Sequence, residues 1–399
     1  VLGDSLDGPA NPWRSRLTII TVAHAIGTVH SVSVLSLAPV IRPELGLSFS
    51  QFGLLISAYS AGQITGTIPA GMLVDRIGVG WSLVAAHILL ALATASLTQA
   101  TGLTAALAAM LFLGWAYAIV NPATARGVLE WFPLQRRATA MGVKQAGVPV
   151  GGILAAGTLF LTAWFSWQII LWMIVGLTIL GALFCLPLVE RPQARTGPAE
   201  KPFAGILRVA SNWNFGALVG SCAFMNAGQH IFFTYLTLFM REALQSSQGI
   251  ASIAMGLAQC GSAVGRIGWG VVSDTVFRGR RKKLIALLCI AAVAIFGMMA
   301  AVDAWWGIGA GLAAAILLGL TIASWASLIQ TLAVETAGRT DSGSAIGYLS
   351  LGSATGSMLG PPLFGTVIDA TGSFGQGWLV AGLVTGIGVT MFCTLYRER

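Results

Sequence analysis

Charge is what this sequence has least of. Asp, Glu, Lys and Arg make up 9% of its 399 residues, against about 25% in a soluble domain. Hydrophobic residues reach 56%, more than a soluble core could absorb, so a soluble enzyme or binding module is excluded. Apolar–polar alternation is also missing. The apolar runs are about 20 residues long, which suits membrane-spanning helices and disfavours a β-barrel. Cysteine is sparse: Cys185, Cys222, Cys260, Cys289 and Cys393 all lie in apolar runs, and no pair has metal-ligand spacing. They read as small buried hydrophobes, and neither a metal nor a cofactor is expected. The remaining absence is acid inside the membrane. Each of the 14 Asp and Glu falls in a tail, a loop or a span end. The intramembrane carboxylate that proton-driven carriers commonly use is therefore not there.

What is present is a series of long apolar runs. Residues Val1 to Asn11 are polar and read as a tail. The first run, near 17–41, is too long for the apolar core of a cleavable signal, and none is expected. Runs follow near 51–74, 81–100, 103–125, 138–163 and 166–188. A charged, proline-bearing segment, ERPQARTGPAEKP, then interrupts the pattern. Six further runs lie near 213–240, 248–275, 283–302, 306–334, 342–369 and 376–396. The fold expected is an all-α polytopic membrane protein with twelve transmembrane helices in two pseudo-symmetric six-helix bundles. The expected organisation is a tail at 1–16, bundles at 17–189 and 213–399, and a linker at 190–212.

The basic residues orient these spans. With the N-terminus in the cytoplasm, all but four of the 22 Lys and Arg fall in cytoplasmic segments, as the positive-inside rule requires. Arg42 and Arg241 lie on the other side, and Lys144 and Arg266 are left inside the membrane. Both termini are expected in the cytoplasm, and the net charge of +8 is explained by topology and the lipid bilayer, not by nucleic acid.

The two halves also share spacing. Gly66, Gly71 and Asp75 match Gly265, Gly270 and Asp274 at one offset, 265 − 66 = 199. Gly142, Gly147 and Gly151 match Gly347, Gly352 and Gly356 at another, 347 − 142 = 205, and Glu130 matches Glu335 at the same one. Matches at two nearly equal offsets, in corresponding spans, indicate an internal duplication. Parallel six-span repeats with a site at their interface are a transporter architecture.

At this point the residues carry a family likeness. GMLVDRIG (Gly71 to Gly78), after span two, resembles the loop motif of the major facilitator superfamily, and GVVSDTVFRGRRKK (Gly270 to Lys283) resembles its second copy. Val79 and Gly80 depart from the motif, standing where basic residues are common. The resemblance covers all twelve spans. It implies that spans one, four, seven and ten line a central cavity, while spans two, five, eight and eleven rock across the interface. It also implies an alternating-access carrier. Monocarboxylate carriers of this superfamily often place an aspartate one turn before the span-eight arginine, and here that position is Ser262.

Two cations carry the functional expectation. Arg266 lies eight residues before Asp274, roughly 12 Å into the bilayer. An arginine facing lipid there costs about 2.5–3.5 kcal/mol or more, so it should face protein or a water-filled cavity. Lys144 lies roughly 10 Å inside, counted from Arg137. It either faces the same cavity or snorkels to the surface. An anion held between two such cations relieves their repulsion. Gln259 and Ser262 share a face with Arg266, and Asn226 and His230 lie one turn apart on span seven. Tyr59, Gln63, Asn121, Trp325 and Tyr348 are further polar or aromatic candidates, each of which packing alone could explain. Asp75, Arg76, Asp274, Glu130 and Glu335 read as a gating lattice at the cytoplasmic helix ends. Proton coupling would have to use His24, His30, His230 or the carboxyl group of the substrate.

The expected function is therefore carriage of a small organic anion, a mono- or dicarboxylate, with exchange favoured over net uniport. A bacterial inner-membrane monomer with a small anionic substrate is the corresponding picture. A proton-coupled drug exporter is the alternative, although Pro149 is separated from Gly151 by Val150 and matches the antiporter motif imperfectly. A transporter-like sensor is a third reading. No triad, metal constellation or phosphate-cradling loop stands in a suitable context, so the chain is not expected to be an enzyme.

Overall fold

The structure, a computed structural model, describes residues 13–190, 208–301, 307–337 and 342–398. The expected linker at 190–212 and the tail at 1–16 lie mostly outside these residues. Among the described residues every regular element is a helix.

Span one is Trp13–Ser36, and a short helix, Ala38–Glu44, follows it. The apolar run looked continuous to Ile41, but Pro39 lacks an amide hydrogen and restarts the helix in its own first turn. Spans two and three are two helices within Phe49–Thr98 that meet at Gly78, where φ is 78°. Glycine tolerates that left-handed turn without a Cβ penalty, which lets the chain reverse between two membrane passages. Span four is Leu103–Trp131. Span five joins Leu134–Ala156 to Thr158–Leu161, and span six is Trp167–Phe184. In the second half the spans are Trp213–Leu238, Gln248–Thr275 and Arg281–Ala301, then the pair Gly307–Leu320 and Ala326–Ala337, then Ser342–Thr371 and Phe374–Leu395. Serine or asparagine caps open several of them. Ser48 and Gln51 form a reciprocal capping box at span two, and Ser166, Asn212, Ser247 and Ser373 accept backbone amides at spans six, seven, eight and twelve.

Side chains cannot drive helices together in lipid as they do in water, so close backbone contact carries much of the packing. A Cβ on Gly62 would stand 2.1 Å from the Leu111 carbonyl oxygen, and one on Gly114 would stand 2.0 Å from that of Tyr59. Spans two and four therefore cross through paired glycines. The second half repeats the arrangement. Gly261 meets the Ile316 carbonyl at 2.7 Å and Gly319 meets that of Ala258 at 2.4 Å, joining spans eight and ten. Gly147 and Gly151 press on Thr21 and Ala25 of span one, as Gly352 and Gly356 press on Val219 and Ala223 of span seven. The duplication read from glycine spacing is thus a duplication of helix crossings. By contrast, Gly71 and Gly270 have nothing within 4 Å of a built Cβ.

The halves meet through span two on span eleven and span five on span eight. Their seam is tightest at the end away from the basic clusters. There the backbones of Gly53 and Pro361 touch, as do those of Gly365 and Phe49.

Candidate functional site

Pro122 sets the middle of span four. It cannot donate to the Ala118 carbonyl and its ring crowds that group. The helix stops at Tyr117 and restarts at Val120. Span ten breaks at the matching place, between Leu320 and Ala326, since 118 + 205 = 323. Interrupted helices at corresponding positions of two repeats point to a binding site at the interface, and both membrane cations lie beside these breaks.

Arg266 is held from two sides. Its Nε donates to the Ser262 hydroxyl at 3.3 Å, and Ser262 in turn donates to the Ala323 carbonyl at the span-ten break, 2.8 Å away. The Ser327 hydroxyl reaches the Arg266 carbonyl at 3.4 Å. Ser262 is 2% exposed, and these two bonds commit its hydroxyl to orienting the arginine. Arg266 itself stays partly accessible. Lys144 is 1% exposed, and its ammonium donates to Asn121 Oδ1 at 2.6 Å. A snorkelling lysine would aim at the surface, whereas this one aims at the span-four break. His24 of span one lies within electrostatic reach of both cations, and Tyr117 lies within reach of Arg266. One cation from each half therefore lies beside a helix break, Lys144 at Asn121 of span four and Arg266, through Ser262, at Ala323 of span ten.

The other candidates divide. Tyr59 accepts from Gln63 Nε2 at 3.1 Å, and its ring centre is 6.1 Å from that of Tyr117, which brings all three to the same wall. Gln259 fills the space left by Gly152 of span five, so it packs across the interface. Trp325 is 1% exposed and donates to Gln229 Oε1 at 3.0 Å. Asn226 donates to the Ser353 carbonyl, and His230 donates through Nδ1 to the Asn226 carbonyl at 3.1 Å. Tyr348 stacks on Phe215 at 6.0 Å, near the start of span seven. Trp325, Asn226 and Tyr348 tie spans seven, ten and eleven together inside the second half, while the His230 bond stays within span seven. Tyr117 was not singled out in the sequence, although it stands one helical turn before Asn121 and next to the break that Pro122 imposes.

The lattice candidates form two hubs. Arg126 of span four donates to Asp75, to the Val74 carbonyl and to Glu130. Arg281, at the start of span nine, donates to Asp274 at 3.1 Å and to both Glu335 oxygens at about 3.0 Å. Each hub stays within one half. Arg76 is exposed, and among the described residues it has no ion pair.

The opposite end is closed across the halves. The Asp369 carboxylate accepts the Phe49 and Ser50 amides, each at 2.9 Å, and so caps span two from span eleven. Arg42 contacts both oxygens of Glu242 at 2.9 Å, and the Tyr235 hydroxyl lies 2.8 Å from the carbonyls of Phe49 and Pro361. Ser252 donates to the Ala156 carbonyl at 2.6 Å, which extends the closure to spans five and eight.

Comparison with known proteins gives a consistent result. A family model described as the Major Facilitator Superfamily matches residues 19–338. The hexuronate transporter of Bacillus subtilis is 28% identical over 96% of this chain and 94% of its own length. The probable sulfoacetate transporter of Cupriavidus necator is 24% identical over 93% and 91%. Among solved structures, a bacterial homologue of the human lysosomal transporter Spinster superposes with a TM-score of 0.79. It is 16% identical, over 96% of this chain and 97% of its own.

Proposed function

Since this chain belongs to the major facilitator superfamily, whose members are membrane transporters and not enzymes, we propose that it carries a small organic acid by alternating access. The observation that supports this most is the placement of Arg266 and Lys144. They come from different halves, and each lies beside the broken middle of its neighbouring span, four for Lys144 and ten for Arg266. Among the described residues no Asp or Glu partner is recorded for either. An arginine fork suits a planar carboxylate, and lysine adds a point charge. The relatives named for hexuronate and sulfoacetate are named for organic acids, and mono- or dicarboxylates are the substrate class we assign.

Alternating access gives the two ends their roles. The capped seam at Asp369 and the Arg42–Glu242 pair close the outer end, and this seam opens when the carrier turns. The basic helix ends face the cytoplasm, with both termini there, in a bacterial plasma membrane. The protein acts as a monomer, because the site is built by the two halves of one chain. Its domains are the bundles at 17–189 and 213–399, with a linker at 190–212. Substrate exchange follows from the cation pair, since closing around two bare like charges is costly.

Uptake of a labelled carboxylate panel into proteoliposomes tests this reading. Arg266→Lys keeps the charge but loses the fork, and should lose most uptake. Near-normal anion binding by Arg266→Ala would overturn the assignment.

A further inference from the structure

Beside the cation pair, the first half presents more hydrogen-bonding groups than a carboxylate needs. Thr28 donates to the His24 carbonyl at 3.0 Å, so in its 3.3 Å contact with Tyr117 the tyrosine hydroxyl is the donor. That leaves the Tyr117 oxygen free to accept. Asn121 uses Oδ1 on Lys144 and keeps its two amide hydrogens, on a residue that is exposed. Gln63 gives one amide hydrogen to Tyr59 and retains its carbonyl oxygen. His24 is 2% exposed, and its Nδ1 has no partner although buried. Its ring lies 6.2 Å from that of Tyr117. Donors and acceptors thus gather on one wall around Tyr117 and the Asn121–Lys144 contact.

A simple alkyl acid would satisfy the cations and leave this wall desolvated and unpaired when the site closes. Unpaired buried polar groups are costly, and sites built to bond a hydroxyl reject analogues that lack it. A hydroxyl can both donate and accept, so a polyhydroxylated acid fits such a wall. We propose that Tyr117, with Gln63, Asn121 and His24, selects hydroxylated carboxylates of the sugar-acid type over unsubstituted acids of the same size. The inference rests on the anion site assigned to Arg266 and Lys144.

The test pairs acids that differ only in their hydroxyls: glucuronate with tetrahydropyran-2-carboxylate, and gluconate with hexanoate. Binding to the purified full chain is measured by titration calorimetry, and uptake is measured in proteoliposomes. The wild type should prefer a hydroxylated member by roughly a hundredfold or more, within the range that hydroxyl recognition reaches. Tyr117→Phe should cut that preference about tenfold, the effect of one hydrogen bond of about 1.4 kcal/mol, by weakening the hydroxylated acid alone. A purely structural role would weaken both members equally. Gln63→Leu provides a second readout of the same ratio if Tyr117→Phe folds poorly. Equal affinity for both members in the wild type, or an unchanged ratio in both variants, overturns the proposal. Arg266→Ala separates the two layers of the reading. Loss of both members supports the anchor, whereas their retention removes the anchor while the Tyr117 ratio still decides the wall.

Discussion

The two halves of the molecule share their crossings and differ in their chemistry. Gly62 and Gly114 in the first half do what Gly261 and Gly319 do in the second, with built Cβ positions 2.0–2.7 Å from a facing carbonyl. The functional side chains follow no such copy. In the proposed site the first half supplies Lys144, Asn121, Tyr117 and His24, and the second supplies Arg266 and the serine bonded to it. Even the acid pairs, which are duplicated as Asp75 with Glu130 and Asp274 with Glu335, gather around arginines from different places, Arg126 of span four and Arg281 of span nine. A backbone contact admits only glycine, so each repeat must keep it. A charge can be supplied from any neighbouring helix, so the repeats are free to diverge.

The largest effect should come from breaking a shared crossing. Gly114→Ala and Gly319→Ala each push a methyl group into a carbonyl, at 2.0 and 2.4 Å. Overpacking of this kind costs about 1–3 kcal/mol or more. Both should sharply reduce the folded yield and the thermal midpoint in detergent, by similar amounts. Gly71→Ala, with nothing within 4 Å, should leave both unchanged. Unequal effects of the two crossing variants would break the comparison.

Much of the fold could be read from the sequence, because twelve apolar runs and the paired glycine spacings reflect membrane thickness and helix contact directly. Arg266 and Lys144 were legible for the same reason, as charges where charge is expensive. The wall around them was not. Tyr117 and Thr28 are ordinary residues in apolar runs, and the role proposed for them comes from their mutual contact and from the break at Pro122 beside Tyr117. Trp325 and Tyr348 show the converse. Their polarity deep in spans suggested ligands, but Gln229 and Phe215 already engage them.

A smaller effect should separate the two ends. Asp369 clasps span two across the halves, whereas Asp274 shares Arg281 with Glu335 inside one half. Asp369→Ala should weaken the outer closure by about 1 kcal/mol, since charge-assisted bonds at an exposed site are screened. Cysteine labelling from the outer side should rise several-fold. Asp274→Asn should slow turnover and change outer labelling less, with substrate affinity largely kept. A larger outer-labelling change from Asp274→Asn than from Asp369→Ala would reverse the roles given to the two ends.

The central claim is that one cation from each half holds the anion and that the empty pair resists closure. Counterflow into vesicles preloaded with unlabelled substrate measures this most directly. Preloading should accelerate uptake of the labelled acid over empty vesicles, and Lys144→Ala should remove much of that acceleration. Equal rates in loaded and empty vesicles, or full acceleration without Lys144, would contradict the paired-cation site.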